Sequence, residues 1–251
     1  MSDSTEMEID EDNNITDHIL EQLESNFCEK LGYSDDDGLK SRYKSRSLNE
    51  DIVSDLKKCD FTEIKAIVLD SFLLLTTKAL IRFCLENNLE CEIKLYQKDR
   101  DEHRKQLKIL EYLDLNKHPL INVSLVNLDL SRYYFRKKKL DYNVLILDWA
   151  KCTTISLRGF SNVLDDITKE KIYVALCICR KRSPDDSIYS RLVKRIYNKS
   201  ELNYESDPDG RVIKEYLKDK YSNVEVSHCF GDTYHKSRGL IWPRFVLSID
   251  K

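Results

Sequence analysis

Lys65-Ala-Ile-Val-Leu-Asp70-Ser-Phe-Leu-Leu-Leu75-Thr-Thr-Lys-Ala-Leu80 is the stretch that decides the fold. Its first half is a run of apolar and β-branched residues ending in a carboxylate. Its second half, read on to Phe83, sets Leu75, Ala79, Arg82 and Phe83 one turn apart, the spacing of a buried helical stripe. The stretch reads as a strand, a tight turn and a helix over about 74–87. In an open α/β sheet, ligands bind beyond the carboxyl ends of the strands, which puts Asp70 on the functional edge.

Working outward, the same layout repeats. Asn87-Asn88 marks a turn, Cys91 to Tyr96 alternates as a second strand, and a charged helix follows over 101–113. Leu120 to Val126 and Tyr142 to Leu147 are the third and fourth strands, and a helix is expected over 155–169. Lys171 to Cys179 is the most hydrophobic strand, as expected of one buried on both faces of a parallel sheet. Ser183-Pro184-Asp185 opens a helix over 186–198, and Val212 to Leu217 form another. The strands 223–235 and 240–249, joined through Ser237, Arg238 and Gly239, form an antiparallel hairpin. The expected fold is α/β: a doubly wound, mostly parallel sheet closed by that hairpin, with helices added at the N-terminus.

Residues 1–13 carry six acids and no base, with too few apolar groups to offset ordering entropy, and read as a disordered acidic tail. Residues 14–59 read as a helical extension with a charged linker over 34–47; residues 60–251 form the main domain. Ile19, Leu20, Leu23, Phe27 and Leu31 give the extension an apolar helical stripe ended by Gly32, and a second helix is expected over 48–59.

Composition narrows the function classes. Charged residues are 34% of the chain, yet the net charge is only −3, so any anion-binding surface is local. The eight cysteines show no zinc-finger spacing, so no metal site is expected. No apolar run approaches the roughly 20 residues needed to span a bilayer, so no membrane partner is expected. An acidic N-terminus and dispersed thiols suggest cytoplasm or nucleus. There is no dinucleotide fingerprint or Walker phosphate loop.

Acids or amides follow the first four strands: Asp70, Asp99, Asn127 with Asp129, and Asp148. Together with the closing hairpin, they make residues 60–250 resemble the class I S-adenosylmethionine-dependent methyltransferases. The resemblance implies a seven-stranded sheet of order 3-2-1-4-5-7-6 and S-adenosylmethionine as cofactor. It implies that Asp70 meets the amino-acid part of that cofactor, Asp99 the ribose hydroxyls, and Asn127 or Asp129 the adenine amino group. It implies that Asp148, in Leu147-Asp148-Trp149, faces the transferred methyl and the substrate. The family's first motif is rich in glycine after its acid, whereas Ser71 to Leu75 has none, and no glycine occurs between Gly38 and Gly159.

Around this edge, Trp149 offers a ring on which an unpaired base can stack, and Arg180, Lys181 and Arg182 offer charge to phosphate. The expected activity is methyl transfer to nucleic acid, RNA favoured, with Asp148 as the catalytic candidate. Two alternatives stand beside it. One is a methyltransferase-like subunit that has lost its cofactor and serves a protein partner; the other is a nucleic-acid-binding module without chemistry. Asp70 and Asp99 also read as plain helix caps, and Asp129 as a turn residue.

Overall fold

The computed structural model describes residues 15–24, 30–32, 47–130, 139–148, 153–179, 188–197, 211–235 and 240–250. Helices α1 (15–24) and α2 (47–56) precede β1 (Glu63–Val68). There follow α3 (Leu75–Glu86), β2 (Glu90–Tyr96), α4 (Arg100–Leu113), β3 (Ile121–Val126), β4 (Val144–Leu147) and α5 (Thr153–Leu164). The chain then forms β5 (Lys171–Leu176), β6 (Ile178–Cys179), α6 (Ile188–Tyr197), α7 (Arg211–Lys220), β7 (Val224–His235) and β8 (Leu240–Ile249). The tail, the linker over 34–46 and the hairpin loop at 237–239 lie outside the described residues.

All the strands join one sheet, in which β3, β2, β1, β4 and β5 run parallel in that order and β8 pairs antiparallel with both β5 and β7. The expected strand 171–179 is divided at Cys177, but its register against β8 is unbroken: Lys171 stands opposite Ser248 and Ile178 opposite Ile241. That register puts Pro243 opposite Leu176. Tyr173 and Cys177 direct their N–H groups to Asn143 and Leu147 on the β4 side, so Leu176 faces β8. Pro243 has no N–H to give it, and the ladder lapses there. Counted as one strand, β5 and β6 complete the seven-stranded order that the resemblance implies.

Burial follows the strand period. Ile64, Ala66, Val68, Val144, Ile146, Tyr173 and Ala175 enter the core beneath α1 to α4. Ile67, Leu145, Leu147, Ile172, Val174 and Leu176 enter the core beneath α5 to α7. The central strand β4 is buried throughout, while the edge strand β3 buries fully only Ile121.

Two expectations are corrected. The buried residues of α3 are Thr76, Thr77, Leu80, Ile81, Phe83, Cys84 and Leu85, so of the expected stripe only Phe83 is buried and Leu75, Ala79 and Arg82 lie at its margin. That stripe instead borders a groove of about 710 Å³ shared with Leu23 of α1 and Val53 of α2, because the N-terminal helices take the flank that sequence spacing assigned to the core. Also, α5 stops at Leu164, short of 169. Leu140 takes its place in the hydrogen bonding, donating to the Asp166 carbonyl and accepting from the Thr168 N–H.

The extension is tied to the sheet by polar groups as well. Asp55 of α2, buried, accepts a hydrogen bond from the Tyr173 hydroxyl at 3.1 Å and pairs with the buried Arg244 of β8. Burial pushes the Asp55 carboxyl up, against the pull of the Arg244 guanidinium. No described helix is long and apolar enough to cross a membrane.

Candidate functional site

The last hydrogen bond of the β1 edge runs from the Leu69 N–H to the Ile146 carbonyl at 2.9 Å, and the chain then turns at Asp70. The Asp70 carboxylate faces its own turn. One oxygen accepts from the Ser71 N–H at 2.8 Å, and the other accepts from the Thr77 N–H at 2.8 Å and the Thr77 hydroxyl at 2.9 Å. It therefore caps α3 from a distance, which the residue next to the helix cannot do: Leu74 is apolar and makes no side-chain cap.

Leu74 holds the left-handed conformation, φ 53° and ψ 36°, that glycine ordinarily supplies. This costs about 1–2 kcal/mol. The Leu74 side chain is wholly buried in the core beneath α1 to α4, and burial of a leucine contributes about 1.5–3 kcal/mol. Packing at least offsets the strain, so a glycine-type turn survives without glycine.

A second support comes from α4. The Gln106 amide nitrogen donates to the carbonyls of Asp70 at 3.1 Å and Ser71 at 3.0 Å. Lys105 sits over the Phe72 ring, 4.8 Å from its centroid. Sequence reasoning missed Gln106, although its spacing carried a signal: it interrupts an otherwise apolar buried stripe with Ile109 and Leu113.

At the tip of β2, Gln97 exchanges backbone hydrogen bonds with the segment after β3: its N–H donates to Val126 and its carbonyl accepts from Leu128, both at 3.0 Å. The Asn127 side-chain amide also donates to the Gln97 carbonyl, at 2.8 Å. Asp99 is the N-cap of α4, accepting from the N–H groups of Asp101 at 2.9 Å and Glu102 at 3.0 Å. Those bonds, the one from Glu102 first, hold its carboxyl below the usual range.

Asp70, Asp129 and Asp148 meet at one hollow beyond the strand tips, lined also by Leu69, Tyr96, Gln97, Lys98, Leu128 and Leu130, with a volume of about 80 Å³. Asp99, Asn127, Phe72 and Leu73 are not among these lining residues. Burial pushes the Asp70 carboxyl up to about 6, against the downward pull of its bonds from Thr77 and Ser71, with a further upward push from the Asp148 charge. Trp149, Arg180, Lys181 and Arg182 lie outside the described residues.

No protein-family model matches this sequence, and no curated protein matches it. Among solved structures it is similar to one described as "Putative methyltransferase yhhF from Escherichia coli", at TM-score 0.50 and 10% identity over 82% of this chain and 87% of that one. The fold is that of the class I methyltransferases. M. capricolum TrmK with S-adenosyl-homocysteine aligns at TM-score 0.46 and 8% identity, over 79% of this chain and 68% of that one. P. horikoshii TYW2 with MeSAdo aligns at TM-score 0.45 and 10% identity, over 77% and 60%.

The residues present fit part of the cofactor that the sequence resemblance implies. Three aspartates against one lysine, Lys98, around one small space of mixed lining suit the ammonium and sulfonium charges of S-adenosylmethionine. A space of about 80 Å³ seats a charged end rather than a whole nucleoside. At the β2 tip, Tyr96, Gln97 and Lys98 line the hollow, while the nearby Asp99 carboxylate is committed to α4.

Proposed function

We propose that this chain is an S-adenosylmethionine-dependent methyltransferase whose acceptor is nucleic acid, RNA in preference to DNA. The observation that carries the reading is the meeting of Asp70, Asp129 and Asp148 in one hollow at the carboxyl edge of a methyltransferase-type sheet. When bound, the cofactor supplies an electrophilic methyl group on a sulfonium. The three carboxylates favour a cation there through fixed negative charge. Asp148 holds the acceptor in line and takes up its proton. Trp149 offers a stacking face to an unpaired base, and Arg180, Lys181 and Arg182 offer charge to the phosphates.

The test is calorimetric titration of the full chain with S-adenosylmethionine and S-adenosylhomocysteine. Measurable heat with the intact protein, and about tenfold or weaker binding in Asp129→Asn and Asp148→Asn, is the expected result. Absence of heat with both ligands removes the enzymatic reading.

A second reading, a methyltransferase-like subunit that serves a protein partner, is favoured by the Asp70 turn. There the carboxylate satisfies Ser71 and Thr77, and Leu74 packs into the core. It predicts no heat and a Tm that neither ligand moves.

A further inference from the structure

The N-terminal helices and the helices that precede the closing hairpin differ sharply in charge. The described parts of α1 and α2 carry Asp17, Glu21, Glu24, Glu50, Asp51 and Asp55 and no lysine or arginine. On the other face, α6 carries Arg191, Lys194 and Arg195, and α7 carries Arg211, Lys214, Lys218 and Lys220 against only Glu215 and Asp219. A chain of net charge −3 thus carries a basic excess on α6 and α7.

The pattern follows from how these helices pack. Leu192 and Val193 of α6, and Val212, Ile213, Tyr216 and Leu217 of α7, enter the core beneath them. The helical period then turns Arg191, Lys194, Lys214 and Lys218 outward, where all four are exposed. Arg195 links the two helices, reaching Glu215 and Asp219 at 3.1 Å each, and so absorbs both acids of α7. Arg191, Lys194, Lys214 and Lys218 make no ion pair among the described residues.

We infer that this outward stripe binds the phosphate backbone of RNA. Its composition argues against a protein partner, because a protein interface has an apolar, aromatic-rich centre, whereas no large hydrophobic is exposed among the described side chains of α6 (191–197) and α7. A face of lysine and arginine alone suits evenly spaced phosphates, which need charge and no pocket. The stripe also leads toward the site. The strand pair β5–β6 ends at the carboxyl edge, while β7 starts at the opposite edge beside the end of β8. Helix α7 delivers the chain to that start, so Arg211 is its end nearer the hollow and Lys220 the farther, about 15 Å of flank. RNA held along it directs its unpaired bases to the acidic edge while the phosphates stay on the basic one.

The inference rests on the reading that the acceptor is RNA, and the test separates the two. Fluorescence anisotropy would follow binding of the full chain to a labelled 20-nucleotide polyuridine RNA between 50 and 200 mM salt. It would be repeated with the fourfold variant Arg191→Gln, Lys194→Gln, Lys214→Gln and Lys218→Gln. The expected result is at least tenfold weaker binding at 100 mM salt, with the slope of log affinity against log salt reduced by about 2–3, near 0.7 for each phosphate no longer neutralised. Circular dichroism and Tm should stay as in the parent, since all four side chains are exposed. S-adenosylmethionine affinity should also stay unchanged, the hollow being untouched. Unchanged RNA affinity and slope overturn the proposal. Equal affinity for duplex DNA, or equal competition by polyglutamate, overturns the assignment to RNA. If neither protein binds the cofactor while the variant still loses RNA, the methyltransferase reading fails and the stripe stands.

Discussion

The turn after β1 and the turn after β2 contain the same device in different surroundings. Each follows a buried parallel strand, and each uses an aspartate to satisfy the first N–H groups of a helix. Asp99 does this locally as the residue next to α4, with its carboxylate in solvent and its pKa lowered by the bonds it accepts. Asp70 does it across a turn of six residues, from a half-buried position where desolvation outweighs those bonds and raises its pKa to about 6. One cap is a local matter of helix entry. The other requires Leu74 in a left-handed conformation, Gln106 reaching in from α4, and the core beneath. The difference teaches that a strand-end acid in this fold acquires unusual chemistry from what lies under its turn, not from the acid.

The largest effect that could break this comparison is expected at Leu74. Leu74→Ala removes a fully buried side chain and keeps the backbone strain, so it should lower stability by about 2–5 kcal/mol. Leu74→Gly removes the same side chain but relieves the strain, and should be less damaging than alanine by about 1 kcal/mol. Urea unfolding of both variants measures the order. Alanine better than glycine, as at ordinary positions, contradicts the account of how the turn is held.

Next comes the pH dependence of Asp70. Its folded pKa of about 6 lies above the unfolded value of 3.8, so the proton is held more tightly in the native state. The stability it contributes is fully present below pH 3.8 and is lost as pH rises through about 6. The loss is roughly 2–3 kcal/mol. Unfolding the parent and Asp70→Asn side by side from pH 4 to 7 isolates this contribution: the parent should lose stability relative to the variant across that interval. Parallel curves would show that Asp70 is not desolvated.

The sheet was legible because its signals are local and strong. The apolar runs of β4 and β5 are long enough to need burial on both faces, and the acids that follow β1, the segment after β3, and β4 do meet in one hollow. The capping role of Asp99 was visible as an alternative for the same reason, since its partners are two and three residues away. What stayed hidden depends on distant partners or on one conformation overruling a local preference. Nothing within a few residues of Leu74 announces a left-handed leucine, because the compensation is packing against the sheet and the helices above it. The Gln106 contact spans 35 residues or more. The core side of α3 was misplaced because two flanks of that helix are apolar and only the position of α1 and α2 decides which meets the sheet. The break at Cys177 comes from Pro243 on a strand that pairs only at the end of the chain.

Gln106→Leu comes third. The substitution keeps the apolar stripe of α4 but removes the side-chain donor to the Asp70 carbonyl, while the Ser71 carbonyl keeps the Leu74 N–H, and one unsatisfied buried group costs about 1–3 kcal/mol. Hydrogen exchange should show faster opening of residues 71–77, while the first turn of α4, capped by Asp99, stays protected. Uniform loss of protection across both turns would mean that they are one cooperative unit and that the contrast between them is superficial.

The smallest effect is expected from Asp99→Ala, which removes a solvent-exposed cap and should lower Tm only slightly. Its pH dependence must run opposite to that of Asp70. The folded pKa lies below the unfolded value of 3.8, so the contribution is present above that value and is lost as pH falls through the folded pKa. The Tm gap between the parent and Asp99→Ala should therefore be open at pH 7 and close in strong acid, whereas the Asp70 difference develops between pH 4 and 7. Calorimetry with S-adenosylmethionine sharpens the contrast. Because the Asp99 carboxylate is already committed to Asp101 and Glu102, Asp99→Ala should bind the cofactor within about twofold of the parent, a difference of about 0.4 kcal/mol. Loss of binding with Tm unchanged would show instead that this carboxylate leaves its helix to hold the ribose, and that the two turns serve the ligand alike.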